Sequence, residues 1–362
     1  MNIQRHCALF LVGMLCCTEI AAQPADRGLA APTLSGVPLR GVTLTDLPRS
    51  GAVGYSESDY ADLGAMGVNI TRLGMHLTRC DGCSTYSSSE AEIAYAEQIL
   101  EMGQRYGFKL VVTLAPLPGG GKEEFWNDPQ LRSSIAQQWQ AIARRLKGYP
   151  ALAAYDLINE PVPPGKSLRE VHQQWDAFAA QLITALREVD PMHTIIFEPA
   201  TWGNPSSFKS QEPLPFPNIA YSFHFYLPMT FTHQGVYPQY PYGVEYPNPT
   251  LNKDILSQTL EPVRDFQRRT GMPIYIGEFS AARWAPNDSA HRYLKDVISL
   301  FEAEHWSWTY LGWRGYHGWD AEIPETVPRD IKQSIAPEKR ISTTPSFKLL
   351  SSYFMLNKPA SH

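Results

Sequence analysis

Charge is scarce in this chain, and what there is nearly cancels. Asp, Glu, Lys and Arg make up 19% of 362 residues, and 36 acids against 31 bases leave a net charge of −5. That balance supplies neither a basic face for nucleic acid nor a cationic patch for an anionic membrane. Cysteine is nearly absent: there are five, of which Cys7, Cys16 and Cys17 lie close to the N-terminus. Cys80 and Cys83, in "TRCDGCSTY", are too few for a thiolate metal site without further ligands. No apolar run reaches the length of a bilayer span. No Gly-rich phosphate loop follows the first β-rich run, which argues against a dinucleotide-binding sheet. No linker, composition shift or short repeat divides the chain.

What is present is apolar and aromatic. Hydrophobic residues make up 43% and aromatics 12%, enough for one large core. Residues 1–22 read as a secretory signal peptide: a basic start at Arg5, an apolar stretch from about Cys7 to Cys17, and a small-residue cleavage point after Ala22. The mature chain, residues 23–362, is then secreted or periplasmic, and in that oxidising setting Cys80 and Cys83 are expected to form one disulfide.

Short β-rich runs alternate with amphipathic helical patterns along the whole mature chain. Strands are expected from Leu39, Val68, Lys109, Leu152, Thr194, Ile219, Pro273 and Trp306. A helix opens at Asp128 with Pro129 in its first turn; its apolar face is Leu131, Ile135, Trp139, Ile142 and Leu146. Another opens at Ser167, with Glu170 completing a capping box and Val171, Trp175, Phe178, Leu182 and Leu186 facing inward. Eight strands alternating with helices predict an α/β fold, a single (β/α)8 TIM barrel. Its active site belongs at the strand ends that lead into helices.

Those ends are polar here. The fourth strand runs into Asn159-Glu160-Pro161, where Pro161 is expected to bias Glu160 toward an extended backbone. The seventh ends in Gly277-Glu278-Phe279, the second carries Arg72, and the sixth carries His224 and Tyr226 on one face. Each alone has a bland reading: a solvated turn glutamate, a core histidine, an arginine in an ordinary ion pair. Their joint placement at strand ends is what points to chemistry.

"YDLINEP", the glutamate in "YIGEFS", "SFHFY" and the tryptophan-rich eighth strand resemble glycoside hydrolase family 5, the cellulase-type barrels, from "LRGVTL" to about Asp320. The resemblance implies a retaining β-glycosidase with Glu160 as general acid/base and Glu278 as nucleophile. It implies that Asn159 holds the sugar 2-hydroxyl, that Arg72 and Tyr226 orient Glu278, and that His224 supports Glu160. Like-charge repulsion from Glu278 is expected to raise the Glu160 pKa. A platform tryptophan is expected near the end of strand eight, Trp313 before Trp308. The family often has a histidine after the third strand where this chain reads "VVTLAPLPGG"; His76 is the expected partial substitute. No metal or cofactor is required.

The aromatic loop from Leu227 to Pro249 and Trp126, Trp202 and Trp284 are candidates to line a glycan cleft, Trp202 foremost; packing of the loops is the competing use for these rings. The expected substrate is a β-linked oligo- or polysaccharide, with endo-β-glucanase activity first. β-Mannanase, β-1,3-glucanase or exo-acting glucosidase are the alternatives on the same barrel. A catalytically silent carbohydrate-binding protein, or a metal-dependent hydrolase using His76, His224 and acids, are alternatives of other classes. Oligomeric state leaves no signal in the sequence.

Overall fold

The protein is described by a computed structural model at residue 34 and residues 37–45, 54–79, 86–87, 90–114 and 126–358. The expected leader, Cys80, Cys83 and the segment after the third strand (residues 115–125) lie outside the described residues.

Eight parallel strands close into a barrel: β1 (Arg40–Leu44), β2 (Ile70–Met75), β3 (Lys109–Leu114), β4 (Leu152–Asp156), β5 (Thr194–Phe197), β6 (Ile219–Phe225), β7 (Ile274–Phe279) and β8 (Ser307–Trp313). Each begins within two residues of its expected start. β1 pairs with both β2 and β8, which completes the circle and leaves no free edge. Among the described residues, the helices of seven residues or more are α1 (Glu57–Met66), α2 (Glu90–Tyr106), α3 (Pro129–Leu146), α4 (Leu168–Val189), α5 (Lys253–Thr259), α6 (Glu261–Thr270), α7 (Ser289–Ala303) and α8 (Pro345–Phe354). After β5 the usual helix is replaced by a 3-10 segment, Pro205–Ser210. Among the described residues, no helix is long and apolar enough to cross a membrane.

The interior is a packed plug rather than a channel. Ile70, Val111, Ala154, Ile196, Ala220 and Tyr275, from six successive strands, meet inside it. The Tyr275 hydroxyl is satisfied by Thr309 Oγ1 at 2.6 Å. The larger core lies between strands and helices.

Two helices show how the sequence positions the strand ends. In α3, the Asp128 carboxylate caps the N–H groups of Gln130 and Leu131, and Trp139 buries its ring and donates Nε1–H to the Leu157 carbonyl at 3.0 Å. In α4, Ser167 Oγ accepts from the Glu170 N–H, while the Glu170 carboxylate reaches one residue past the cap to the Lys166 N–H. Trp175, on the buried face of α4, donates Nε1–H to the Glu198 carbonyl at 2.6 Å. The two indoles therefore pin the chain just beyond β4 and β5, where the polar residues begin.

Candidate active site

Glu278 reaches its place through a bulge. Pairing of β6 with β7 runs Phe223 to Ile276 and then His224 to Glu278, so Gly277 is the extra residue that re-aims the next side chain. A side chain at Gly277 would meet His224 Nε2 at 2.9 Å, so glycine lets the imidazole lie flat against the strand. The Gly277 carbonyl is held by the hydroxyls of Thr309 at 2.7 Å and Thr43 at 3.2 Å.

Glu160 sits on a turn, not on an extended strand. Its φ is +49°, which corrects the expectation drawn from Pro161. Strand β4 ends at Asp156, although Leu157 and Asn159 continue to donate to the carbonyls of Ile196 and Leu114. The turn persists because it is held from both sides. The Glu160 N–H donates to Glu198 Oε2 at 2.9 Å, and the Pro161 carbonyl accepts from the Thr201 N–H at 2.9 Å. Thr201, Trp202 and Gly203 all have positive φ, so two left-handed turns lie side by side, joined by the Thr201–Pro161 hydrogen bond. Backbone of this kind costs on the order of 1 kcal/mol per non-glycine residue and gathers where side chains must be aimed.

Arg72 organises the floor and is buried to 1% exposure. Nε donates to Asp156 Oδ2 at 2.9 Å, Nη1 to Glu278 Oε1 at 2.7 Å, and Nη2 to Asn159 Oδ1 at 2.9 Å and Glu198 Oε1 at 3.0 Å. Because guanidinium only donates, the Asn159 amide must turn its oxygen to Arg72, leaving its NH2 as a donor. Tyr226 donates its hydroxyl to the second oxygen of Glu278, Oε2, at 3.0 Å. His224 Nδ1 lies 2.8 Å from Glu160 Oε1 and 3.7 Å from Glu278 Oε2. Its Nε2 is 3.1 Å from Glu198 Oε1, an ion-pair distance out of line for a hydrogen bond.

Four carboxyl groups (Asp156, Glu160, Glu198, Glu278) thus face two cationic side chains, Arg72 and His224. Burial pushes Asp156 up to about 8 despite the adjacent Arg72. Burial is also the main cause that raises Glu160; His224 opposes it, and the charges of Glu278 and Glu198 add smaller upward contributions. The repulsion expected from Glu278 is therefore present but secondary. Burial pushes the His224 imidazole down, yet Glu198, Glu278 and the hydrogen bond to Glu160 outweigh it and hold its pKa well above the usual histidine range. Glu198 is pushed up by burial, but His224 and Arg72 bring it below the ordinary carboxylate value.

Glu160, His224, Tyr226 and Glu278 open onto a cleft of about 570 Å³, flanked by Trp202, Leu311 and Trp319. One carboxylate oxygen of each glutamate and a nitrogen of His224 lie within 4.8 Å of one another. Trp202 is 59% exposed at the rim. Leu227, Met229, His233, Tyr237 and Tyr240 of the Leu227–Pro249 loop form one wall. Buried Gln234 ties that loop closed: Oε1 accepts from Gly243 and Val244, and Nε2 donates to the Val244 carbonyl.

Other expected residues lie elsewhere. Trp308 is core, packed on Phe279 and Phe354 with Nε1–H donated to Glu302, so it cannot be a platform. Trp313 is buried at 6% exposure, with the Arg314 guanidinium 4.4 Å from its ring centroid, and is not among the residues lining the cleft. The indole beside the site is Trp319, 6.1 Å from Tyr226 and packed over Gly312, where a side chain would meet its carbonyl at 2.6 Å. His76 sits 3.5 Å from Glu92 at the start of α2 and is not among the described residues lining the cleft. Trp126 packs edge-on against Trp175 and Phe178, and Trp284 is buried with Nε1–H on the Gln234 carbonyl, so both serve packing. Sequence reasoning missed Glu198, Asp156 and Trp319. Glu198, in "TIIFEP" at the end of an apolar strand, carries the same signal that marked Glu160.

A closed (β/α)8 barrel with paired glutamates at the ends of its fourth and seventh strands defines a glycoside hydrolase of the two-carboxylate kind. Comparison with known proteins agrees: residues 35–317 match the cellulase family, glycosyl hydrolase family 5, and the chain belongs to it. A retaining mechanism is general to that family. Endoglucanase C of Acetivibrio thermocellus is 26% identical over 246 residues, covering 59% of this chain and 70% of the relative. Endoglucanase 3 of Fibrobacter succinogenes is 23% identical over 255 residues, 60% of this chain and 38% of that protein. Among solved structures, endoglucanase Cel5A from Thermotoga maritima superposes with a TM-score of 0.69 at 22% identity, covering 86% of this chain and 96% of its own, a likeness of fold.

Proposed function

We propose that this β-glycosidase is an exported endo-β-glucanase, with Glu160 as general acid/base and Glu278 as nucleophile. The observation that carries the reading is the approach of the two glutamates, oxygen to oxygen within 4.8 Å across an open cleft. That is the spacing of direct attack on the sugar, about 5–5.5 Å between carboxyls, rather than the roughly 6.5–9.5 Å that leaves room for a water. Endoglucanases recur among the relatives, and a cleft rimmed by exposed Trp202 suits a chain entering along its length.

In the first step a Glu278 oxygen bonds to the anomeric carbon as the glycosidic C–O bond breaks. The leaving oxygen takes the proton from Glu160. His224 already donates to Oε1 of Glu160, so the acid proton belongs on Oε2. In the second step Glu160 takes a proton from water, whose oxygen displaces Glu278 and frees the sugar. Neutralising Glu278 in the ester removes one of the charges that raise Glu160, which suits its change from acid to base.

The test is a panel of β-glucans and β-mannan with products sized over time, using Glu278→Gln as control. Mid-length products appearing first from β-1,4-glucan support the reading. Monomer release from chain ends, or a preference for mannan or β-1,3-glucan, replaces it with the corresponding alternative. Export belongs to the same proposal. Mature protein isolated from the medium or periplasm should begin after Ala22 and show no titratable thiol until reduced, Cys80 and Cys83 being joined; two free thiols would sink the pairing.

A further inference from the structure

Glu198 is a third glutamate at the site, and hydrolysis by two carboxylates has no use for it. It is fully buried. Its carbonyl is taken by Trp175, and Oε2 by the backbone of Glu160. Oε1 faces two cations, Arg72 Nη2 at 3.0 Å and His224 Nε2 at 3.1 Å. The other nitrogen of that imidazole is 2.8 Å from Glu160 Oε1. A carboxylate, an imidazole and the acid/base carboxyl therefore stand in a row.

We propose that Glu198 is a positioning residue of the reaction, which keeps His224 doubly protonated beneath Glu160 and thereby sets the pH range over which Glu160 can give up its proton. The proposal rests on Glu160 being the acid/base. An imidazole this deeply buried would ordinarily be neutral, because a charge taken from water must find partners or be lost. The groups facing it are Glu160 beyond β4, Glu198 beyond β5, Glu278 on β7 and, without a direct contact, Asp156 on β4. Tyr226, just past the end of the same strand, and Arg72 on β2 complete the surroundings. Of these, Glu198 is the first among the charges that favour the imidazolium. Its own carboxyl is held ionised by His224 and Arg72.

Replacing Glu198 with Gln keeps the shape and an acceptor for the Glu160 N–H but removes the charge. His224 then loses its proton at neutral pH. Glu160 loses one cation and one anion, and the cation is the stronger influence on it. Its proton is held more tightly. The limb of kcat/KM that falls with rising pH reports the acid of the free enzyme, and it should move upward by about one pH unit on an oligosaccharide substrate. A residue that only packed would lower activity without moving that limb.

Two measurements decide it. Nitrogen-15 NMR of histidine-labelled wild type should find both ring nitrogens of His224 protonated at pH 7, which requires no variant to fold, and Glu198→Gln should convert the ring to a neutral tautomer. Neutral His224 in the wild type overturns the proposal. An unmoved limb in a variant whose His224 has become neutral overturns the link to Glu160; whether Glu160 is the acid/base is decided separately, by azide rescue of Glu160→Ala.

Discussion

The Tyr226 hydroxyl donates to Glu278 Oε2 over 3.0 Å. Arg72 holds the other oxygen of the same carboxylate at 2.7 Å. The Glu278 carboxylate is thus gripped at both oxygens, and its plane is set in advance of any ligand. Tyr226→Phe removes one grip and leaves the ring. A hydrogen bond to a charged group contributes about 1.5–3 kcal/mol, so kcat should fall by roughly 10–100-fold. KM for a small aryl glycoside should change much less, because the sugar does not depend on that bond for entry. Steady-state kinetics on one aryl glycoside checks this, and a change confined to KM would contradict it.

The two glutamates separate by leaving group. Glu160→Ala should be crippled on natural glycans, whose leaving alcohols need a proton, yet still be glycosylated by a dinitrophenyl glycoside. Azide should then restore turnover and give the β-glycosyl azide. Glu278→Ala should fail on both substrates, and azide could at most give the α-azide. General acid–base help is worth about 10²–10⁴-fold, so the contrast should be plain in initial rates. Identical responses of the two variants would reverse or void the assignment.

Trp202 offers its ring from a left-handed turn at the cleft rim and packs little, being 59% exposed. Trp202→Ala should leave the melting temperature nearly unchanged. Covering roughly 60 Å² of ring at about 25 cal/mol per Å² amounts to ~1.5 kcal/mol, so KM for polymer should rise about tenfold. An aryl glycoside too short to reach the ring should show no such rise. Equal effects on both substrates would make the residue a support of the turn.

Away from the cleft, Asp190 ends α4 and accepts from Tyr155 Oη at 2.8 Å, His193 Nδ1 at 2.6 Å, and the N–H groups of Met192 and His193. Burial pushes this carboxyl up, but the hydrogen bonds outweigh it and depress its pKa. A depressed folded pKa means stability that is present above the unfolded value, near 3.9, and lost as pH falls below it. Asp190→Asn should therefore be less stable by about 2 kcal/mol at neutral pH, with the gap closing below about pH 4. Denaturant midpoints measured at several pH values check the sign; a gap that widens in acid would contradict it.

The barrel and the strand ends that carry Glu160 and Glu278 were legible from residue order alone. Alternation of β-rich runs with capped amphipathic helices is a local property, and Asp128, Pro129 and Ser167 begin their helices through contacts only a few residues away. Glu160 and Glu278 were legible because the ends of the strands form the barrel mouth wherever the neighbours lie. Whatever depends on which strand lies beside which came only with the closed barrel. Arg72 meets Asp156, Asn159, Glu198 and Glu278 from 84 to 206 positions away, and nothing local announces those meetings. The Glu160 turn departs from the extended preference set by Pro161 because a local backbone preference of a kcal/mol or so gives way to hydrogen bonds with Glu198 and Thr201, beyond the neighbouring strand. The tryptophans divide the same way. Trp308 and Trp313 stand in a strand pattern that looks promising, but an indole is a platform only if no core claims it. Packing on Phe354 and cover by Arg314 claimed these two, and Trp319, outside any strand, was left to line the cleft.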